Sequence, residues 1–139
     1  MLTDRELSAV KKSWAKLRNI DPVVIGDAFY SKLFFERPAL RRMFPVEMDA
    51  QYKKLVDMLS MIVARLDHLD EITEEIIAMA KRHEGYGVKP EHYGLVGEAL
   101  MWTLKVGLGR EWNEEVGDAW TKCYGVLANA MTFGKVAIT

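Results

Sequence analysis

At 139 residues, half of them hydrophobic and 28% charged, the chain has the balance of one globular domain with a sizeable core. Its formal net charge of −1 gives no electrostatic basis for binding nucleic acid or an anionic membrane. Cys123 is the only cysteine, which excludes an internal disulfide and a thiolate metal cluster, and no run is long and apolar enough to span a bilayer.

Apolar residues recur at helical spacing along the chain, and no segment alternates as a strand would. Thr3 and Glu6 have the spacing of a capping box, opening a helix whose stripe is Leu7, Val10, Trp14 and Leu17. Asp21-Pro22 reads as an N-cap followed by proline at the first helical position, so a second helix runs towards Phe35. Pro38 starts a short third segment that stops at Phe44-Pro45, and its basic pair Arg41-Arg42 reads as a solvated face. Asp49 is expected to cap a long helix with Leu55, Met58, Leu59, Ile62 and Leu66 on one side. Asp70 is expected to cap the next, carrying Ile72, Ile76, Met79, Ala80 and His83. Pro90 opens a further helix with Tyr93, Val96, Leu100 and Leu104, and Asn113 begins the last, with Val116, Trp120, Cys123, Tyr124, Leu127 and Met131 inward.

Short loops and the lack of repeats point to one all-α domain over residues 1–139. Helices of such unequal length suggest steep crossings rather than a symmetric bundle. Gly26, in mid-helix, costs about 1 kcal/mol relative to alanine, which a close helix crossing would explain and a tolerated defect would explain equally. Met1-Leu2-Thr3-Asp4 lacks the apolar run of a signal peptide, so a cytoplasmic monomer or homodimer is expected.

Polar groups on apolar stripes mark the candidate chemistry. His83 lies seven residues after Ile76 on an inward face, and two glycines follow in His83-Glu84-Gly85-Tyr86-Gly87. Burying an unpaired polar group costs about 2–7 kcal/mol, so this imidazole has either a main-chain carbonyl partner or a metal-bearing cofactor. Tyr30, Gln51 and Tyr93 likewise occupy inward positions; each tyrosine alone reads first as structural and Gln51 alone as an exposed first-turn residue, but with His83 they converge on one interior. No second histidine stands at metal-ligand spacing to His83, since His68 and His92 read as surface residues, and no phosphate loop or nucleophile elbow is present. One imidazole cannot hold a bare metal ion, but it can be the axial ligand of haem iron.

The segment from His83 through Lys89-Pro90-Glu91-His92-Tyr93 resembles the proximal region of bacterial globins, both single-domain haemoglobins and the haem domains of flavohaemoglobins. Phe29-Tyr30, Arg37-Pro38, Met43-Phe44, Gln51-Tyr52-Lys53-Lys54-Leu55, Ala119-Trp120 and Tyr124-Gly125-Val126 are similar to further motifs of that family, in order along nearly the whole chain. The resemblance implies a globin fold, a helical sandwich enclosing one haem b, with His83 as the iron ligand and Tyr30 and Gln51 on the distal side. It implies that Phe44 packs on the porphyrin, that Leu55 walls the ligand pocket, that Val88, Val96 and Leu100 line the proximal and lower rim with Tyr93 as a cofactor-side proximal donor, and that Lys54 reaches a propionate. His83 would donate its second ring nitrogen to the Met79 carbonyl one turn back, fixing the tautomer. In many relatives an acid near the end of the last helix helps the counterpart of Tyr93 make the proximal histidine more electron-rich; here the matching stretch reads Met131-Thr132-Phe133-Gly134-Lys135, without an acid, so the resemblance implies Tyr93 as the proximal donor and no strong peroxidase-like activation.

The expected function is binding of dioxygen, with nitric oxide and carbon monoxide as further ligands. Conversion of nitric oxide to nitrate would need an external reductase, because the chain stops at Thr139 without a flavin domain. A redox or gas sensor, or an electron-transfer haem protein without turnover, is the alternative.

Overall fold

The first helix begins where its capping box requires. Thr3 Oγ1 accepts the Glu6 main-chain N–H at 3.1 Å, and Glu6 Oε1 accepts that of Thr3 at 2.8 Å, so two orphan donors of the first turn are satisfied reciprocally. The computed structural model describes residues 2–85 and 87–133, less the Phe133 side chain. Among these residues it contains six α-helices and three 3₁₀ turns, with no strand. The helices are α1 (Asp4–Leu17), α2 (Pro22–Glu36), α3 (Asp49–Ala64), α4 (Thr73–Gly85), α5 (His92–Leu108) and α6 (Glu114–Phe133). The 3₁₀ turns span Pro38–Met43, Leu66–Ile72 and Gly109–Glu111. Tyr86 and the Gly134–Lys135 end of the acid-lacking stretch lie outside the described residues.

Two helix starts match their sequence signals. Asp21 accepts the Val23 N–H at 2.9 Å ahead of Pro22, and Asn113 accepts the Val116 N–H at 2.9 Å. Three others differ. Met48 is the N-cap of α3, without a side-chain bond, so Asp49 acts in the first turn only through the helix dipole. Asp70 caps nothing: the Leu66–Ile72 turn intervenes, broken at His68 (φ −139°, ψ 49°), and α4 starts at Thr73. Leu66 therefore leaves α3 but stays buried. Pro90 sits in a turn, and α5 opens two residues later. His92 Nδ1 accepts the Lys89 N–H at 3.0 Å, while the main chain closes short bonds from His92 to Lys89 and from Tyr93 to Pro90. His92 is thus half-buried and structural, whereas His68 is exposed as expected.

The core is knitted by two tryptophans. Trp14 and Trp120 meet edge-on at 6.1 Å. Trp120 Nε1 donates to the buried Ser13 hydroxyl at 2.8 Å and Trp14 Nε1 to Ser60 at 3.1 Å, tying α1 to both α6 and α3. A second cluster of Ile62, Ile72, Ile76, Met79, Leu127 and Ala130 seats α4 on α6. Gly26 marks the α2–α3 crossing: a Cβ there would stand 2.3 Å from Tyr52 Cβ and 2.6 Å from its Cα. Close approach is therefore the reason for the glycine. α2 packs on α3 and α5, and α4 packs on α6.

Candidate functional site

The polar centre of α2 and α3 is a phenol–amide pair. Gln51 Nε2 donates to the Tyr30 hydroxyl at 3.1 Å. Tyr30 is 5% exposed, walled by Phe29 (ring centroids 4.8 Å apart), Phe44 (5.2 Å), Phe34 (5.8 Å) and Tyr52 (5.8 Å). Burial pushes the Tyr30 phenol above its ordinary pKa, and the smaller pull of Gln51 opposes this. The phenol is therefore neutral at physiological pH. Because its oxygen accepts from Gln51, its own proton is left to donate to a third group.

Phe44 is positioned by a residue that sequence patterning placed in solvent. Arg41 donates to the Pro45 carbonyl at 2.8 Å, to that of Val46 at 3.1 Å and to that of Phe44 at 3.3 Å, and its guanidinium lies 5.5 Å from the Phe34 ring centroid. Of the basic pair, Arg42 is exposed and Arg41 half-buried. The planar guanidinium fork suits several carbonyls at once, which a lysine could not match. Leu55 and Met58, one and two turns beyond Gln51, are half-buried against the core, and Lys54 is exposed.

His83 lies in the last turn of α4, half-buried. Its Nδ1 is 2.7 Å from the Met79 carbonyl oxygen. A carbonyl only accepts, so Nδ1 is the donor of this bond, which leaves Nε2 as the lone-pair nitrogen of the neutral tautomer. The glycine after it has a specific use. Gly87 adopts φ +89°, its N–H bonds the Glu84 carbonyl at 3.0 Å, and the Val88 N–H bonds the His83 carbonyl at 3.0 Å. This is the Schellman stop of a helix, and it folds the half-buried Val88 back beside His83.

On α5, Leu100 is buried while Tyr93 and Val96 are half-buried. Burial, and secondarily the Glu84 carboxylate, raise the Tyr93 phenol. The Tyr124 hydroxyl donates to the Tyr93 carbonyl at 2.6 Å, and its ring packs where a Cβ on Gly97 would come within 2.7 Å. It thereby fixes the start of α5.

The donor set suits one kind of group. Among the described residues no cluster of three His, Cys, Asp or Glu side chains could hold a metal ion. A single imidazole of fixed tautomer, half-buried apolar side chains at Phe44, Leu55, Met58, Val88 and Val96, and a buried phenol donor fit a flat apolar cofactor that brings its own equatorial metal ligands. A groove of about 430 Å³ between α1 and the start of α6 involves none of these residues, and the ion pairs Arg5–Glu115 and Lys16–Glu111 line it.

Comparison with known proteins places the chain by sequence and by fold. The family model for globins matches residues 27–131. The flavohemoprotein of Bacillus subtilis is 29% identical over 94% of the chain, which spans only 33% of that protein's length. Neuroglobin-1 of Oncorhynchus mykiss is 27% identical, covering 96% of this chain and 92% of its own. Among solved structures, an engineered carbene transferase of Rhodothermus marinus, provisionally described as a nitric oxide dioxygenase, superposes with a TM-score of 0.84 at 27% identity over 95% of this chain and 92% of that one. A bacterial globin from Campylobacter jejuni shares the fold with a TM-score of 0.79, at 24% identity and 91% coverage of each chain.

Proposed function

The chain belongs to the globin family, and from that premise we propose that it holds haem b on His83 and binds dioxygen beside Tyr30 and Gln51. Haem supplies, when bound, an iron atom with a coordination position open to a diatomic gas. The remaining work belongs to the protein. His83 presents Nε2 in one tautomer because Met79 holds the proton of Nδ1, and that bond also makes the imidazole a stronger donor. Phe44, Leu55, Val88, Tyr93, Val96 and Leu100 form the apolar walls, and exposed Lys54 is a partner for a propionate. Gln51 holds Tyr30 with its proton directed to a polar ligand, and hydrogen bonds to charged partners contribute about 1.5–3 kcal/mol.

The Tyr30–Gln51 bond carries this reading, because a phenol oxygen that accepts from Gln51 keeps its own proton for a further partner. Nitric oxide and carbon monoxide fit the same pocket. The likeness to flavohemoproteins and to the Rhodothermus protein supports a further step, in which nitric oxide, dioxygen and one electron from a reductase yield nitrate. Absorption spectra of the haem-reconstituted protein, ferric, ferrous and with carbon monoxide, test the binding reading: no Soret band means no haem site. Nitrate formed over many cycles with a reductase supplied is the expected outcome for the enzyme, whereas a single turnover would assign storage or sensing.

A further inference from the structure

Exposed apolar side chains gather on two neighbouring helices. Among the described residues six large apolar side chains face solvent, and four of them, Val24, Phe35, Trp102 and Val106, belong to α2 and α5, which pack on one another. Phe35 is 81% exposed, Val106 59% and Trp102 39%. None of the four belongs to either core cluster, since α5 turns Leu100, Leu104 and Leu108 inward instead. Single exposed apolar residues are ordinary, whereas a concentration of them on one face marks an interaction site. Lys32 joins the two helices at its centre: Nζ lies 5.4 Å from the Trp102 ring centroid and 2.7 Å from Glu36 Oε1. The indole is thus held to the surface by a cation that is itself anchored, and a large aromatic ring fixed in advance is the kind of side chain that dominates binding at interfaces.

The charges around Trp102 decide what the face fits. Glu98 stands one turn before it and Lys105 one turn after it on the same stripe of α5. Both are exposed, and neither takes part in an ion pair among the described residues. A two-fold axis at Trp102 lays α5 antiparallel on the same helix of a second copy, so that residues equally spaced about Trp102 face one another. Each Trp102 then meets the other, and Glu98 of each copy meets the Lys105–Val106 turn of the other. The face is therefore complementary to itself and not to a uniformly anionic surface. A net charge of −1 adds little repulsion between copies. With 17 residues, α5 is about 25 Å long, and a face two helices wide, about 20 Å, covers about 500 Å² per copy. Both copies together bury about 1,000 Å², the lower end for a specific interface.

We propose that the α2–α5 face docks a second copy of this chain about a two-fold axis at Trp102, with Glu98 of each copy paired to Lys105 of the other. An interface of this size gives a reversible dimer whose population follows concentration. The face uses none of the residues assigned to the haem site, so the pairing stands or falls apart from that reading.

Sedimentation equilibrium of the chain tests this. Wild type should pass from monomer to dimer between about 1 μM and about 1 mM, the affinity range of a small interface. Trp102→Ala, Glu98→Lys and Lys105→Glu should each weaken association by about tenfold or more at an unchanged melting curve, since all three positions lie outside the core. An equimolar mixture of the Glu98→Lys and Lys105→Glu chains should associate again, because every facing pair is then of opposite sign, and the double variant should regain self-association for the same reason. A wild type that stays monomeric up to about 1 mM overturns the proposal. So does a dimer that Trp102→Ala leaves intact, which would put the contact on another face. Failure of the mixture to associate overturns the two-fold register, and a monomer that co-sediments with phosphatidylcholine vesicles would assign the face to lipid instead.

Discussion

Removing one oxygen atom at Tyr30 isolates what the distal pair does. Tyr30→Phe keeps the ring against Phe29, Phe34, Phe44 and Tyr52, so the packing of the α2–α3 crossing survives. Gln51 loses its acceptor but is half-buried, so water can replace it, and the stability cost stays within about 1 kcal/mol. The functional cost is larger, because the phenol is the proton donor to a polar ligand. A hydrogen bond to a charged partner contributes about 1.5–3 kcal/mol, and about 1.4 kcal/mol is a tenfold change, so oxygen release should accelerate by roughly ten- to a hundredfold. Carbon monoxide, far less polarised, should change much less. Stopped-flow displacement of oxygen by carbon monoxide measures this. Since burial raises the Tyr30 phenol, the wild-type release rate should also stay flat from neutral pH past about 10, where an ordinary tyrosine ionises. An oxygen release rate within about twofold of wild type, in a variant with an unchanged melting curve, would refute the hydrogen-bond argument. So would equal changes for both gases, which would indicate altered packing.

Gly26→Ala forces a methyl group to 2.3 Å from Tyr52 Cβ, where neither helix backbone can yield cheaply, so unfolding in urea should come about 1–3 kcal/mol earlier at unchanged m; an unaltered midpoint would contradict the close crossing. Burial pushes the Cys123 thiol from about 9 up to about 12. The native state therefore keeps a proton that the unfolded chain releases, and the stabilisation is complete below pH 9 and lost as the pH rises towards 12. Urea midpoints measured across that window should fall more steeply for wild type than for Cys123→Ala, and parallel slopes would count against a buried neutral thiol.

How much was legible in advance follows from the range of each interaction. The Thr3–Glu6 box, the Asp21-Pro22 start and the His83–Met79 bond all close within about one helical turn, so spacing alone places the partners. The starts of α3, α4 and α5 were less legible, because a lone Asp or Pro signals a boundary without the dihedrals that decide it. At His68 and at Lys89–Tyr93 the main chain adopted turns that displaced the helix by two or three residues. Gly87 was visible as a glycine; its left-handed φ and the stop that it builds beside His83 appear only in the folded backbone.

The sequence by itself determined an all-α chain and put Tyr30, Gln51 and His83 on inward faces, since helical periodicity dictates which side chains share a side. Only the tertiary structure decided what those faces meet. Gln51 reached Tyr30 across a helix crossing that Gly26 permits. Arg41, read as solvated, gathered three carbonyls of the loop holding Phe44, and Tyr124 bound the Tyr93 carbonyl across 31 residues. Tyr52 came to lie between Tyr30 and Asp27 for the same reason. Periodicity specifies a direction from one helix axis, whereas a partner depends on the position and angle of a second axis, which packing of the whole core sets.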